Sequence, residues 1–104
     1  MINQTETLQL IQESFDSLAR SGTLESQVTI KEETILLGSG TLLDSIGFVT
    51  FITDMEDRME QKLGQECYLV LNEISEFNIN NPSLSAGVLA EYLVQLAKQI
   101  EEKS

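Results

Sequence analysis

One stretch decides the fold of this chain: GTLLDSIGFVTFITDMEDRMEQKLG, which runs from Gly40 to Gly64. It opens as a glycine- and serine-containing loop and becomes a long amphipathic run at Asp44 or Ser45. Because Gly64 supplies a C-terminal stop, the stretch predicts a helix over residues 45–63. Apolar side chains recur on one side of this helix and form the predicted core stripe: Phe48, Phe51, Ile52, Met55, Met59 and Leu63.

A second, mixed face lies beside Ser45. At ~100° per residue, Ile46 points about 140° away from the centre of the core stripe, and Val49 lies at its margin. Threonines and acids, among them Asp57 and Glu60, share this face. An exposed isoleucine beside an acidic row is typical of a docking surface. Ile46 packed beneath the preceding loop explains the same pattern, so both interpretations stay open.

Two further long helices are predicted. The first spans residues 5–20, stops at Ser21-Gly22 and carries this apolar stripe: Leu8, Ile11, Phe15, Leu18 and Ala19. The last spans residues 83–100, and its cap is Asn81, followed by Pro82, or Ser83. Its apolar residues recur mostly at i+4 spacing: Leu84, Val88, Leu89, Tyr92, Leu93, Leu96 and Ile100.

The remaining segments are short or irregular. Residues 23–43 predict a loop with at most one helical turn, because the short VTI piece has no evident strand partner. The run QECYLVL after Gly64 looks extended, and residues 73–77 predict a short helix. The chain therefore predicts a single all-α domain, residues 1–104: a small four-helix bundle with three long helices, one short helix and a long first loop.

The amino-acid composition limits the classes of function that the chain can have. The chain carries 17 acidic and 6 basic side chains, a formal net charge of −11, which repels nucleic acid and anionic membranes and favours partners with basic patches. Plain solubility explains the same charge. No apolar run approaches the length of a membrane span. The chain has no histidine, no Cys/His cluster and no phosphate-binding glycine loop, which argues against an independent enzyme and against a metal site.

The single cysteine, Cys67, excludes an internal disulfide and fits a reducing compartment. Its apolar neighbours favour a buried small hydrophobe over a reactive thiol. The N-terminal residues lack the pattern of a signal peptide. We therefore expect a cytoplasmic protein.

Ser45 has two compatible interpretations. Asp44 or Ser45 is a good helix cap, because their side chains accept hydrogen bonds from the first turn. The unpaired N–H groups and positive dipole end of a helix N-terminus also stabilise a phosphodiester attached there. A third use, as a hydrolase nucleophile, lacks a base partner in this chain.

The run LLDSIGFVTFITDMEDRM resembles the phosphopantetheine attachment region of acyl carrier proteins. The matching positions are Asp44, Ser45, Ile46, Val49, Asp54, Glu56, Asp57 and Glu60. The order of the other predicted helices is also similar to that family. LLDSIG looks especially like stand-alone carriers of specialised pathways, including D-alanyl carrier proteins. Leu42, where many fatty-acid carriers have glycine, and Gly47, where an acid is common, set this chain apart from fatty-acid carriers.

The resemblance implies that a separate phosphopantetheinyl transferase moves 4′-phosphopantetheine from coenzyme A to Ser45, with Asp44 in transferase recognition. An acyl or aminoacyl cargo would then ride on the arm as a thioester, and the chain itself would catalyse nothing. Loading and acyl-using enzymes with basic patches would dock on the matching residues of the helix: Ile46, Val49, Asp54, Glu56, Asp57 and Glu60. We expect a monomer.

Two questions stay open from the sequence. A fatty chain, a polyketide unit, D-alanine and another amino acid all remain candidates for the cargo. The pathway therefore also stays open, with lipid or secondary-metabolite biosynthesis as the expectation. The alternative function is an unmodified acidic helical module that binds other proteins and has the same fold.

Overall fold

The first helix, α1, spans Gln4–Ser21. A capping box begins it: the Asn3 side chain accepts from the Glu6 amide at 2.8 Å, and the Asn3 amide donates to the Glu6 carboxylate at 3.2 Å. Gly22 ends it in the left-handed conformation. The computed structural model describes residues 2–22, 24, 27–37, 43, 45–69, 73–74 and 83–103.

The second helix, α2, spans Ser45–Leu63, as predicted. Gly64 ends it with φ at 70°, a value that favours glycine, and the Gly64 amide donates to the Glu60 carbonyl at 2.8 Å. The predicted core stripe is confirmed: five of its six members are buried and Leu63 is half-buried. The other five are Phe48, Phe51, Ile52, Met55 and Met59.

The third helix, α3, spans Ala86–Lys103, so the predicted start at residue 83 is wrong. The chain before it is a short strand, β2, at Leu84–Ser85, which pairs antiparallel with β1 at Ile35–Leu37. The interpretation of residues 23–43 as a loop without a strand is therefore also wrong. The partner of β1 lies almost fifty residues away in the sequence. Strands of two or three residues are also too short to show an alternating apolar pattern.

Residues 32–34 hold the first turn of α3 in place of the predicted cap. The Ala86 amide donates to the Thr34 carbonyl and the Gly87 amide to the Glu32 carbonyl, both at 2.8 Å. A Cβ at Gly87 would lie 3.0 Å from the Glu32 carbonyl oxygen, a tight contact, so the close approach of these backbones favours glycine. These bonds satisfy amides that a helix leaves unpaired.

Ser85 caps α3 directly, because its hydroxyl accepts from the Val88 amide at 3.2 Å. Asn81, a predicted cap of this helix, and Pro82, its predicted first helical residue, lie outside the described residues. Ser83 is described, and it precedes the strand rather than the helix.

The buried stripe of α3 agrees with the predicted one at Leu89, Tyr92 and Leu93 and also includes alanines that were not predicted. Three alanines and two leucines are fully buried: Ala86, Ala90, Ala97, Leu89 and Leu93. Among the predicted positions, Val88, Leu96 and Ile100 are only half-buried. The Thr7 hydroxyl of α1 reaches the Ala90 carbonyl at 3.4 Å, so the two helices approach closely, and small side chains permit this.

Helix α1 packs against both α2 and α3. The Phe15 and Phe51 rings meet edge to face at 5.0 Å between centroids. The long connector is also tied to α1, because the Gln12 amide group donates to the Val28 carbonyl at 2.8 Å and accepts from the Ile30 amide at 2.7 Å. The described chain is thus a compact, mostly helical globule with three helices.

The short helix predicted at residues 73–77 is described only at Glu73 and Ile74, both of which are helical. Ile74 is buried, and the Tyr92 hydroxyl donates to the Glu73 carboxylate at 3.2 Å. Residues 75–77 lie outside the described residues. The described chain accordingly does not establish the four-helix arrangement.

Candidate functional site

The start of α2 is anchored to the core on both sides of Ser45. Leu43 and Phe48 are buried, and Ser45 is the first helical residue. Asp44 and the side chain of Ser45 lie outside the described residues. The first turn of α2 contains no acid, and the first acid of the helix is Asp54, nine residues after Ser45. The acid of α2 nearest to Ser45 in sequence therefore lies ~13 Å from it along the helix axis.

Two aliphatic side chains beside Ser45 are exposed. Ile46 is 79% exposed and Val49 is 53% exposed. The interpretation that packs Ile46 beneath the connector is therefore wrong for the described residues. Burial of such a side chain stabilises a fold by about 1.5–3 kcal/mol, and this fold leaves both in contact with water.

The next two exposed residues of this face are threonines. The Thr50 hydroxyl donates to the Ile46 carbonyl, and the Thr53 hydroxyl donates to the Val49 carbonyl, each at 3.0 Å. Both hydroxyl protons are therefore used within the helix, as is common for threonine in a helix interior.

Two of the predicted docking acids form contacts with other side chains of α2. The Asp54 carboxylate accepts from Arg58 at 2.7 Å, and Arg58 also lies 3.8 Å from Glu13 of α1. Asp57 is exposed and accepts from the Gln61 side chain at 3.1 Å. Asp57 thus remains without an ionic partner in the described part of the chain.

The other two predicted docking acids hold the segment that follows α2. The Glu60 carboxylate accepts from the Cys67 amide at 3.3 Å, and the Glu56 carboxylate accepts from the Leu69 amide at 2.8 Å. After the turn at Gly64, residues 66–69 thus run back along the helix. Residues four apart in a helix are ~6 Å apart along its axis, close to the ~6.6 Å between alternate residues of an extended chain.

Sequence reasoning missed this structural role of Glu56 and Glu60. One signal was available, since two acids at i and i+4 precede a glycine turn and a segment that looks extended. That pattern predicts that the spacing of the two acids matches the spacing of alternate residues in the extended segment. It does not identify which backbone amides the acids bind, because almost every residue has one.

The two hydrogen bonds that Glu56 and Glu60 accept from residues 66–69 are called here the clamp, and Cys67 is one of the two residues that it holds. Cys67 is buried, as predicted, and burial raises the pKa of its thiol to about 11, with the charges of Glu60 and Glu56 adding to the shift. The neighbouring Tyr68 is 63% exposed, and a hydrogen bond to Glu66 raises the pKa of its hydroxyl. A thiol with a raised pKa is a poor nucleophile at neutral pH.

The groove between α1 and α2 is lined by charged and polar groups that pair across it. Lys62 lies 3.1 Å from Glu6, and this contact lowers the pKa of the Glu6 carboxyl. With Arg58 on Asp54 and Glu13, both basic residues of α2 are bound to acids. Within the described residues, no group of three or more cysteine, aspartate or glutamate side chains is placed to hold a metal ion.

Three comparisons with known proteins gave no match. No protein-family model matches the chain, and neither the curated proteins nor the solved structures contain a match. Among the described helices, none is both long enough and apolar enough to cross a membrane.

Proposed function

We propose that this chain is a carrier protein that holds 4′-phosphopantetheine on Ser45 and presents an acyl or aminoacyl thioester to partner enzymes. The observation that carries the proposal is the start of α2. The helix begins at Ser45, and the exposed side chains of Ile46 and Val49 lie in the turns that follow.

The prosthetic group fits this helix start. A phosphodiester is stabilised by the positive end of the helix dipole, and the first turn of α2 holds no acid that opposes it. The pantetheine thiol would supply the thioester bond that this chain's own thiol does not offer, since Cys67 is buried. Asp44 would act only during transfer, because a carboxylate beside the finished phosphodiester repels it.

The chain's own contribution is binding and presentation, not catalysis. Partner enzymes, namely the phosphopantetheinyl transferase and the loading and acyl-using enzymes, would approach the exposed face of α2. The candidate docking residues are Ile46, Val49, Asp54, Glu56, Asp57 and Glu60. The net charge of −11 favours partners with basic patches and disfavours nucleic acid and anionic membranes. The proposal also implies a monomer and an acyl-carrier arrangement completed by the short helix at residues 73–77.

The proposed compartment is the cytoplasm, where Cys67 stays reduced. The cargo classes are those already named: fatty acyl, polyketide, D-alanyl or another aminoacyl group. They share one chemistry, a thioester on the arm.

The test is the intact mass of the purified chain after incubation with coenzyme A, Mg²⁺ and a broad-specificity phosphopantetheinyl transferase. The proposal predicts a gain of one phosphopantetheine in the wild type and no gain in Ser45→Ala. An unchanged wild-type mass, under conditions that modify a known carrier, would leave the unmodified interaction module as the better account.

A further inference from the structure

We infer that the groove between α1 and α2 binds a free α-amino acid with an apolar side chain, whose carboxylate contacts Arg58 and whose ammonium contacts Glu13. The inference goes beyond the proposed carrier function and does not depend on it. Arg58 lies ~20 Å from Ser45 along the axis of α2, in the second half of the helix.

The groove is open to solvent and has a volume of about 360 Å³, a size typical of small-ligand sites. Glu6 and Lys62 pair across it at 3.1 Å, and Glu13 faces Arg58. The charges of these four lining side chains sum to zero, although the whole chain carries −11. A zwitterion has no net charge either, so the negative field of the chain does not repel it, whereas it repels a simple carboxylate.

The two terminal nitrogens of Arg58 have unused hydrogen-bonding capacity. Its Nε donates to Asp54 at 2.7 Å, but its Nη1 lies 3.8 Å from the Glu13 carboxylate, too far for a hydrogen bond. Neither terminal nitrogen has an acceptor within the part of the chain that the structure describes. The side chain is only 24% exposed, so the guanidinium is partly shielded from water. Its parallel N–H groups match the two oxygens of a carboxylate.

The Glu13 carboxylate is the complementary acceptor. It is 44% exposed, and among the described residues it contacts Arg58 as an ion pair without a hydrogen bond. Its oxygens can therefore accept from an ammonium group, which carries three donors. The carboxylate and ammonium of an α-amino acid are attached to one carbon atom, so a single small molecule can contact both side chains across 3.8 Å.

Leu10 adds an apolar contact to the two polar ones. It lines the groove three residues before Glu13 on α1, and it is half-buried against the core. An aliphatic side chain of the ligand would cover the exposed part of Leu10. The ligand competes only with the loose contact between Glu13 and Arg58, and ion pairs of this kind at a surface contribute little stability.

The probe is L-leucine, added to the unmodified chain, and the readout is the Kd from NMR titration. The signals are the Arg58 side-chain Nε–H and the backbone amides of Leu10 and Glu13. We expect these signals to shift and saturate, with a Kd on the order of 1 mM.

Two analogues separate the two charged contacts. 4-Methylpentanoate lacks the ammonium of leucine, and 3-methylbutylamine lacks its carboxylate. Each is expected to bind about tenfold more weakly than L-leucine, because each loses one charge-assisted contact.

Two variants assign the contacts to residues. Arg58→Gln should abolish measurable binding of L-leucine, and Glu13→Gln should weaken it about tenfold without weakening 4-methylpentanoate, a difference that a merely structural role of Glu13 would not produce. Arg20→Gln and Glu91→Gln make the same charge changes at exposed positions and are the matched controls. Circular dichroism checks the fold, and the analogues test the inference on the wild type even if Arg58→Gln does not fold.

The inference is overturned if ~50 mM L-leucine, far above the expected Kd, shifts none of these signals or shifts them without saturation. Equal Kd values for L-leucine and 4-methylpentanoate would also overturn it, because the groove would then be a site for carboxylates in general. An unchanged Kd for L-leucine in Glu13→Gln would have the same consequence. None of these results bears on the loading of Ser45.

Discussion

The two faces of α2 carry similar apolar side chains, but one is covered and the other is not. Phe51 on the buried face meets Phe15 of α1, whereas Ile46 on the opposite face is 79% exposed. The difference separates two uses of apolar surface. Apolar surface on the buried face stabilises the fold, and apolar surface on the exposed face is available to a partner.

Replacing the covered aromatic should produce the largest effect on stability. We expect Phe51→Ala to lower the free energy of unfolding by about 3–5 kcal/mol, because it removes a fully buried ring and leaves a cavity. Ile46→Ala should lower it by less than ~0.5 kcal/mol, as is usual at an exposed site. Urea denaturation followed by circular dichroism measures both. Equal losses in the two variants would show that Ile46 is also covered.

The stability of the buried core should also depend on alkaline pH, because the Tyr92 hydroxyl of α3 donates a hydrogen bond to Glu73. Burial raises the pKa of the Tyr92 hydroxyl to about 12, and the Glu73 carboxylate adds to the shift. The unfolded chain loses this proton near pH ~10, so the stabilisation is complete below that pH and is lost as pH rises towards ~12.

Denaturation curves of wild type and Tyr92→Phe, measured from pH ~8 to ~11.5, isolate this contribution, because Cys67 is present in both chains. The wild type should lose its advantage across the upper part of that range. Parallel curves at every pH would contradict the assignment.

Some features of α2 could be predicted from the sequence alone. The bounds of α2 follow from a dense apolar period and from Gly64, both of which are local signals. The exposure of Ile46 follows from its angle on the helix wheel, although the alternative of burial beneath the connector needed the structure to exclude it.

Other parts depend on contacts between distant segments. Helix α3 begins later than predicted because Leu84 and Ser85 pair with β1. Strands of two or three residues are too short to show a periodic pattern in the sequence. The buried stripe of α3 was predicted in part, at residues such as Leu89 and Leu93. Its alanines, such as Ala90, were missed because they bury little area, although they permit a close helix contact. Glu56 and Glu60 bind backbone amides, and the sequence does not show where those amides lie.

The clamp over Cys67 can be probed by thiol labelling. At about pH 8, labelling of Cys67 should be on the order of 100-fold slower than that of an exposed cysteine, because burial raises its pKa to about 11. Glu56→Gln combined with Glu60→Gln should speed labelling, since both charges contribute to the shift. Labelling at the rate of a free thiol would show that the Cys67 thiol is not buried.

A small loss of stability is expected when the clamp itself is broken. Glu56→Ala removes the acceptor of the Leu69 amide and should cost about 1 kcal/mol of unfolding free energy. Glu56→Gln keeps an oxygen acceptor and is the matched control, with a smaller loss. Urea denaturation compares the two. If Glu56→Ala is as stable as the wild type, Glu56 is free for partners, and the contrast between the two faces of α2 weakens.

The most direct test of the proposed function is a mass spectrum of the chain isolated from its native cells. Trypsin releases residues 32–58 as one peptide, because no lysine or arginine lies between Lys31 and Arg58. The proposed function predicts that this peptide carries a phosphopantetheine, and that fragmentation assigns it to Ser45. A peptide recovered only in the unmodified form, from cells in which other carriers are modified, would contradict it.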